Sequence, residues 1–507
     1  MLNCAAYLAL ILADPSGENM TAASQNTLYW HDYETWGEVP AQDRPVQFAG
    51  IRTDEDLNIL GEPLMMYCRP TPDSLPKPEA CLITGITPQL ALEKGIHEFE
   101  FVANIIAELG APGTCGVGYN SIRFDDEVTR YALYRNFYDP YEREWRNGNS
   151  RWDIIDMVRM TRALRPDGIL WPDYEDGTPC FKLDRLTHAN GLVHDAAHDA
   201  LSDVYATIAI AKLIKTQHPK LYDYAYRLRD KRFANSLIDI AQHKPVLHIS
   251  SRFPSSQGNA ALVLPLAFHP SNKNSVIAYN LSVSPRDLLD LSVAELRLRL
   301  FTRTEDLPEA AEHLALKEIH LNKTPMLLPT AMLDDKTAER LQINKVLCEQ
   351  HWQMLATLNS AEQRDLQQKL YQLYSEQKFV EKIDPEQMLY SGFFEAPDKK
   401  VMHRIRSATP RELATESYAF KDARLPELLF RYRARNFPDS LSAEENQRWR
   451  TYCIARLTDA SAGANIVFAE LESRVHALTS IETTTDVQKD VLTSLLAYAG
   501  KLVSGAH

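Results

Sequence analysis

Residues 27–37 read TLYWHDYETWG, and they set two carboxylates, Asp32 and Glu34, one residue apart behind an aromatic-rich run. A strand alternates its side chains with period 2, so the two acids would share one face. Like charges that close disfavour one another, unless a cation lies between them. Two further segments carry groups of the same kind. Asp125 stands in GYNSIRFDDEVTR, at the start of a helical pattern that follows a short apolar run. His198 and Asp203 stand five apart in HDALSD, within about a turn and a half of helix. Acids from three distant segments make a hard, oxygen-rich set that suits Mg²⁺ or Mn²⁺ better than zinc. Two such ions roughly 4 Å apart activate a water and stabilise the leaving oxygen of a phosphodiester. An imidazole titrating near neutrality is the fitting general base for that water. Taken singly, each piece has a plainer reading. The D-x-E pair reads as solvated surface, Asp125 and Asp126 as first-turn acids complementing a helix dipole, and His198 as a cap or core filler. Their joint presence in this order favours chemistry.

The elements that would position these groups alternate strand and helix over residues 27–213. TLYWHDYET, VQFAGIRTD, NILGEPLMMYCRP and CGVGYN read as strands. FEFVANIIAELG, DDEVTRYALYRNF and AHDALSDVYATIAIAKLIK read as helices. LITGITP reads as a turn from strand to helix, with Pro88 at the first helical position. This mixture predicts an α/β domain. Residues 219–372 change character: PVLHISSRF, ALVLPLAFHP, NSVIAYNLS and EIHLNKTPMLLP are short β-like pieces, which predicts a small β-rich domain with helical insertions. Residues 376–507 are patterned almost wholly as helix.

A chain of 507 residues is long enough for about three domains, in agreement with those shifts. The net charge of −13 speaks against a uniformly basic nucleic-acid binder but leaves local basic patches open. The seven cysteines are scattered without C-x-x-C spacing, so they predict reduced thiols in a cytoplasmic protein and no zinc ribbon. The apolar run Ala5–Ala13 is too short to span a bilayer, and no Lys or Arg precedes it as a signal peptide requires. Residues 1–26 are expected to form a disordered extension, with Met20 opening a second, polar start; the competing reading is a secreted protein.

The series D-x-E, then N-x-x-x-F-D, then H-x-x-x-x-D resembles the DEDDh exonucleases of the RNase-H-like superfamily. The stretches HDYETWG, RPVQFAGIRTD, GYNSIRFDDEVTRYALYRNFYDPY, NSRWDIIDMVRM, LTHANG and AHDALSDVYATIA resemble the exonuclease I family more closely still. HLNKTPML, YSGFF and LLFRYRARNFP extend the likeness over residues 27–500. The resemblance implies an RNase-H-like exonuclease domain (27–213), an SH3-like β-rich domain (219–372) and a helical C-terminal domain (376–507). It further implies a Mg²⁺-dependent 3′–5′ exonuclease of single-stranded DNA, active in repair and recombination. Asp32, Glu34, Asp125 and Asp203 are then the metal ligands, with Mn²⁺ able to substitute, and His198 the general base. Asp199 stands where the tyrosine-type variant would carry Tyr, so the histidine type applies. Lys182 takes a phosphate-binding position where the family has Arg; lysine keeps the charge but loses the bidentate fork. Glu34, Thr84 and Gly85 would receive the terminal nucleotide. Arg130, Tyr141, Trp145, Arg159 and Arg165 match the DNA groove, where aromatics stack on bases and cations track phosphates; as plain residues they read equally as core. Arg340 matches a basic patch that docks the acidic C-terminal tail of single-stranded DNA-binding protein. A channel closed within one chain implies a monomer. The rival readings are an RNA-directed exonuclease and an inactive binding module; the intact carboxylate set argues against the second.

Overall fold

Strand β1 (Thr27–Thr35) is apolar on both faces over its first half, which dictates a central position. The structure, a computed structural model, describes residues 26–194, 198–308, 311–375 and 382–505. The expected extension therefore lies, apart from Asn26, outside the described residues. β1 pairs antiparallel with β2 (Pro45–Thr53), which pairs antiparallel with β3 (Ile59–Tyr67). On its other side β1 runs parallel to β4 (Thr114–Gly118), and β4 to β5 (Ser150–Asp153), for the order β3-β2-β1-β4-β5. Leu28 and Trp30 enter one apolar core, and Tyr29 and Tyr33 enter another on the opposite face.

The helices of this unit are α1 (Pro78–Thr84), α2 (Pro88–Lys94), α3 (Glu98–Leu109), α4 (Asp125–Arg135), α5 (Ile155–Leu164), α6 (Leu183–Ala189) and α7 (Ala200–Gln217). α7 packs across β1 and β2 on the Leu28/Trp30 side. One sequence expectation is corrected: LITG ends helix α1 and is not strand, so LITGITP links two helices. Gly85 closes α1 at φ +68°, and Pro88 opens α2 as expected.

A second five-stranded sheet follows, in the order β10-β6-β7-β8-β9. Its strands are β6 (Val246–Ile249), β7 (Ala260–Phe268), β8 (Ser275–Asn280), β9 (Leu316–His320) and β10 (Met326–Pro329). EIHLNKTPMLLP thus splits into two strands on opposite edges of one sheet. Every pairing is antiparallel, so β9 and β10 point the same way and the short link between them must also return along their length. A flat sheet of strands about 4.8 Å apart would leave that link too short; the sheet curls so that its edges approach. Its apolar face is continuous with the core beneath α5 and α7.

The remaining chain is helical apart from its loops, including α8 (Leu425–Asn436), α9 (Ala443–Thr458) and α10 (Asp486–Ser504). Capping boxes at Ser442/Glu445 and Thr485/Gln488 fix two helix starts that the sequence pattern marks. This part folds back on the first unit. Leu492, Leu495 and Leu502 of α10 pack with Trp36, Val46 and Cys81, while Leu389 and Phe394 pack with Tyr131, Tyr134 and Phe137. Among the described residues, no helix is long and apolar enough to cross a membrane, and the six cysteines are free and buried.

Candidate active site

Leu28, Trp30, Asp32 and Glu34 continue one face of β1, with the first two beneath α7 and the two acids beyond its N-terminus. Glu34 is opposite Gln47 of β2 in register. The Gln47 side chain fixes the start of α7: its Nε2 donates to Asp199 Oδ1 at 3.0 Å, and its Oε1 accepts from Ala200 N–H at 3.1 Å. Asp199 also caps the helix by accepting from Ser202 N–H. Asp203 then falls in the first turn, aimed back at β1. His198 precedes the helix at φ +67°, a left-handed turn unusual for a residue with a Cβ. That irregular start lets both residues reach one site. Ligand atoms of Glu34, His198 and Asp203 lie within 4.8 Å of one another.

Asp125 arrives from the other side. β4 pairs with β1 only as far as Trp30, and the chain then loops away and returns at Asp125, the first residue of α4. Asp125 Oδ1 accepts from Tyr33 N–H at 3.1 Å, between the two acids of β1. Asp153 at the end of β5 holds the loop by accepting from the N–H groups of Asn120, Ile122 and Ile155. The adjacent Asp126 has a different role. It is buried, with Arg143 at 2.5 Å and Arg151 at 3.0 Å, and although burial alone would raise its pKa, the two guanidinium groups hold it well below the usual range.

The electrostatics of the four acids run the opposite way. Burial, then the negative charges of Asp125, Glu34 and Asp203, push Asp32 well above an ordinary carboxylate. Burial, with Asp203 and Asp125, pushes Glu34 up to about 9. Burial and Asp126 raise Asp125, and burial raises Asp203 against the lowering effect of His194. No basic side chain answers these charges among the groups that dominate the shifts of Asp32 and Glu34. An oxygen-rich, anion-crowded pocket of this kind fits hard divalent cations.

His194 was not anticipated from the sequence. Its Nε2–H donates to Asp203 Oδ1 at 2.5 Å, and its Nδ1 shares a hydrogen bond with Thr187 Oγ1 at 3.1 Å. Nothing in the spacing of GLVHDAAHD distinguishes it, because the contact depends on how the loop after α6 turns.

The expected substrate residues fall in separate settings. Trp145 is 65 % exposed over a cleft lined by Arg151, Arg227, Arg229, Lys231, Arg232 and Phe233. The stretch YRLRDKRF, which supplies this basic wall, was not singled out in the sequence although its four cations were visible there. Tyr141 meets Phe393 at a ring separation of 5.6 Å in a second, aromatic cavity of about 210 Å³. Arg159 binds Asp156 at 2.5 Å and lines a third cavity of about 300 Å³ with Arg123, Arg252, Lys317 and Lys323. Burial, with Arg252 and Arg123 beside it, pulls the Lys317 ammonium down to about 8 against the opposing effect of Asp156 and Glu318. These local clusters reconcile a net charge of −13 with a polyanionic ligand.

The other expected residues have distinct settings. Arg130 is buried and engaged by Glu144 at 2.7 and 2.8 Å, Glu127 at 2.7 Å and Tyr390 at 3.2 Å, beneath the Tyr141 ring. Lys182 is the exposed N-cap of α6. Thr84 Oγ1 donates to Ala80 O and accepts from Ile86 N–H, and a Cβ added at Gly85 would meet nothing within 4 Å. Arg165 ends α5 and donates to Leu164 O. Arg340 reaches across from the β-rich unit to the carbonyls of Arg162 and Ala163 at the end of α5.

Four carboxylates and one histidine at the C-terminal half of the central strand of a mixed sheet define a metal-dependent nuclease of the RNase-H-like class. Family models described as "Exonuclease", "Exonuclease I SH3-like domain" and "Exonuclease I C-terminal domain" match residues 29–211, 229–376 and 383–502. The chain belongs to the exonuclease I family. It is 43 % identical over 479 residues to the exodeoxyribonuclease I of Haemophilus influenzae, covering 94 % of this chain and 99 % of that protein. A moderately thermophilic exonuclease I from Methylocaldum szegediense superposes with a TM-score of 0.90 at 49 % identity, over 94 % of this chain and 100 % of that one. The E. coli exonuclease I solved with a dA16 oligonucleotide gives 0.90 at 42 % identity, over the same shares. Other solved structures show the E. coli protein with single-stranded DNA in a zinc-bound form, and an SSB/exonuclease I assembly with an inhibitor.

Proposed function

We propose that this chain hydrolyses single-stranded DNA from its 3′ end, releasing 5′-mononucleotides, in DNA repair and recombination. The observation that carries the reading is the convergence of Glu34, His198 and Asp203 within 4.8 Å, with Asp125 hydrogen-bonded to the same strand. Asp32, Glu34, Asp125 and Asp203 would hold Mg²⁺, as two ions, with Mn²⁺ able to substitute. When bound, these ions supply activation of the attacking water and charge stabilisation at the leaving oxygen.

The chain's own groups do the rest. His198, exposed and turned out of the helix, accepts the proton of the water. Lys182 faces the phosphate as a point charge, and Thr84 and Gly85 line the place of the terminal nucleotide together with Glu34. Behind that nucleotide the strand passes the aromatic and cationic clefts, where Tyr141 and Trp145 stack on bases. Arg159 and Arg165 meet phosphates, while Arg130 acts through the ring of Tyr141 that it underlies. The acidic tail of single-stranded DNA-binding protein docks at Arg340. The protein works as a monomer, and its free, buried cysteines fit the cytoplasm.

The test uses 5′-labelled single-stranded DNA and RNA of one sequence, each with Mg²⁺ or with EDTA. A metal-dependent ladder of shortened, still-labelled DNA is expected, with RNA intact. Cleavage of RNA alone, or of neither strand with metal present, overturns the reading. His198→Ala is expected to lower kcat by roughly 10²–10⁴-fold, the range for a lost general base. DNA affinity measured by fluorescence anisotropy should change little, since His198 contacts no base or remote phosphate in this scheme.

A further inference from the structure

We infer that His194 is a positioning residue for the metal site, holding the Asp203 carboxylate in its ligating orientation; this rests on the function proposed above. Asp203 is gripped on both oxygens. Oδ1 accepts from His194 Nε2–H at 2.5 Å, and Oδ2 accepts from His198 N–H at 3.3 Å. The His194 side chain is only 5 % exposed, and both ring nitrogens are engaged, so the ring cannot swing without breaking a bond. Its second partner, Thr187, is fully buried on α6, where its hydroxyl lies 2.9 and 3.0 Å from the carbonyls of Leu183 and Asp184. The imidazole therefore ties the rigid end of α6 to the first turn of α7. Asp203 stands on a helix entered through the left-handed His198, and the His194 imidazole holds its carboxylate from the α6 side.

The geometry also explains why two histidines stand four apart in this stretch. His198 is exposed beside Glu34 and Asp203 and is free to meet water, whereas His194 is enclosed and faces Asp203 from behind. Groups that hydrogen-bond a ligating carboxylate fix its plane, and losing one typically weakens metal binding about 10–100-fold.

Mn²⁺ binding to the full-length protein, measured by calorimetry and by electron paramagnetic resonance without nucleic acid, tests this. His194→Ala is expected to bind Mn²⁺ about 10–100-fold more weakly than the wild type. His194→Gln, whose amide nitrogen reaches the place of Nε2, should restore most of that loss. His194→Asn, of similar polarity but with its amide near Nδ1, should not. The Gln and Asn variants keep the test decisive if the alanine variant fails to fold, because a merely structural role would treat them alike. Equal Mn²⁺ affinity in all of the folded variants and the wild type, or tighter binding in His194→Ala, overturns the inference alone. A wild-type protein that binds no Mn²⁺ overturns the metal-site reading and this inference with it.

Discussion

Asp32→Asn is expected to abolish cleavage and at the same time to make the metal-free protein more stable. The first effect follows from removing one of the four acids proposed to hold the metal. The second follows from the crowding of those acids. Burial and the neighbouring carboxylates raise Asp32 well above its ordinary value, and Glu34 is pushed up to about 9. A raised carboxylate costs nothing below its unfolded pKa of about 4 and destabilises the fold increasingly as pH rises toward the folded value. The strain is thus present at neutral pH and vanishes toward pH 4. Replacing the acid by an amide of the same shape removes that ionisation and should recover about 1–2 kcal/mol, within the range usual for stabilising substitutions. For a domain of this size that is a rise in Tm of roughly 3–6 °C. Calorimetry in EDTA at pH 7.5 would register it. The wild type should instead gain stability on adding Mg²⁺, by about 2.7 kcal/mol at a hundredfold excess over Kd, and the variant should gain far less. A variant that melts below the wild type in EDTA would show that Asp32 holds structure, not metal.

The four acids are legible in the sequence while their surroundings are not. Asp32 and Glu34 share a face because strand periodicity leaves no choice, and β1 is recognisable from its short aromatic-rich run. Asp125 and Asp203 were legible as first-turn residues of strongly patterned helices. His194 was hidden because its partner is chosen by the path of a loop, which local pattern does not encode. LITGITP reads as a turn that follows a strand for a related reason: the short apolar run before it has no helical period of its own, and burial against α10 decides its state. Arg130 is expected in the DNA groove from its resemblance, whereas the fold buries it against Glu144 and Glu127. Acids interleaved with the arginines of that stretch were the warning, and their geometry comes only from tertiary packing. Arg340 reads as a lone surface charge, yet it spans the seam between two units because α5 ends against it.

Arg435→Ala is expected to destabilise the protein by about 3–5 kcal/mol, the range for stripping one partner from a buried ion pair. Arg435 donates to Asp73 at 2.7 and 3.1 Å and is paired with both oxygens of Glu386. Arg44 bridges the same cluster, at 3.5 Å from Asp73, 3.3 Å from Glu98 and 3.2 Å from Glu386. Asp73, Glu98 and Arg44 belong to the first unit and Glu386 and Arg435 to the last, and all are buried. Without the guanidinium, Asp73 and Glu386 keep their charges in a site closed to water. Arg435→Lys should not rescue the loss, because an ammonium cannot match two carboxylates at once. Burial alone would raise Asp73, Glu386 and Glu98, but the arginines hold all three below the ordinary range. Their contribution is therefore full above about pH 4.5 and is lost as pH falls through the folded values. The wild type should lose stability steeply in acid, and Arg435→Ala should show a shallower dependence because part of the network is already gone. Calorimetry should resolve the variant's unfolding into a helical-domain step and a later step for the remainder, since this buried cluster joins them alongside two apolar seams and more exposed contacts such as Asp43–Asn465 and Glu79–Arg474. The catalytic acids lie outside the cluster, so a short oligonucleotide should still be cut. Tyr390 and Phe393 reach the nuclease unit only while the helical domain is docked, so fewer nucleotides should be removed per binding event on a long strand. A single transition within about 1 kcal/mol of the wild type would show that the remaining contacts hold the two units together without this cluster.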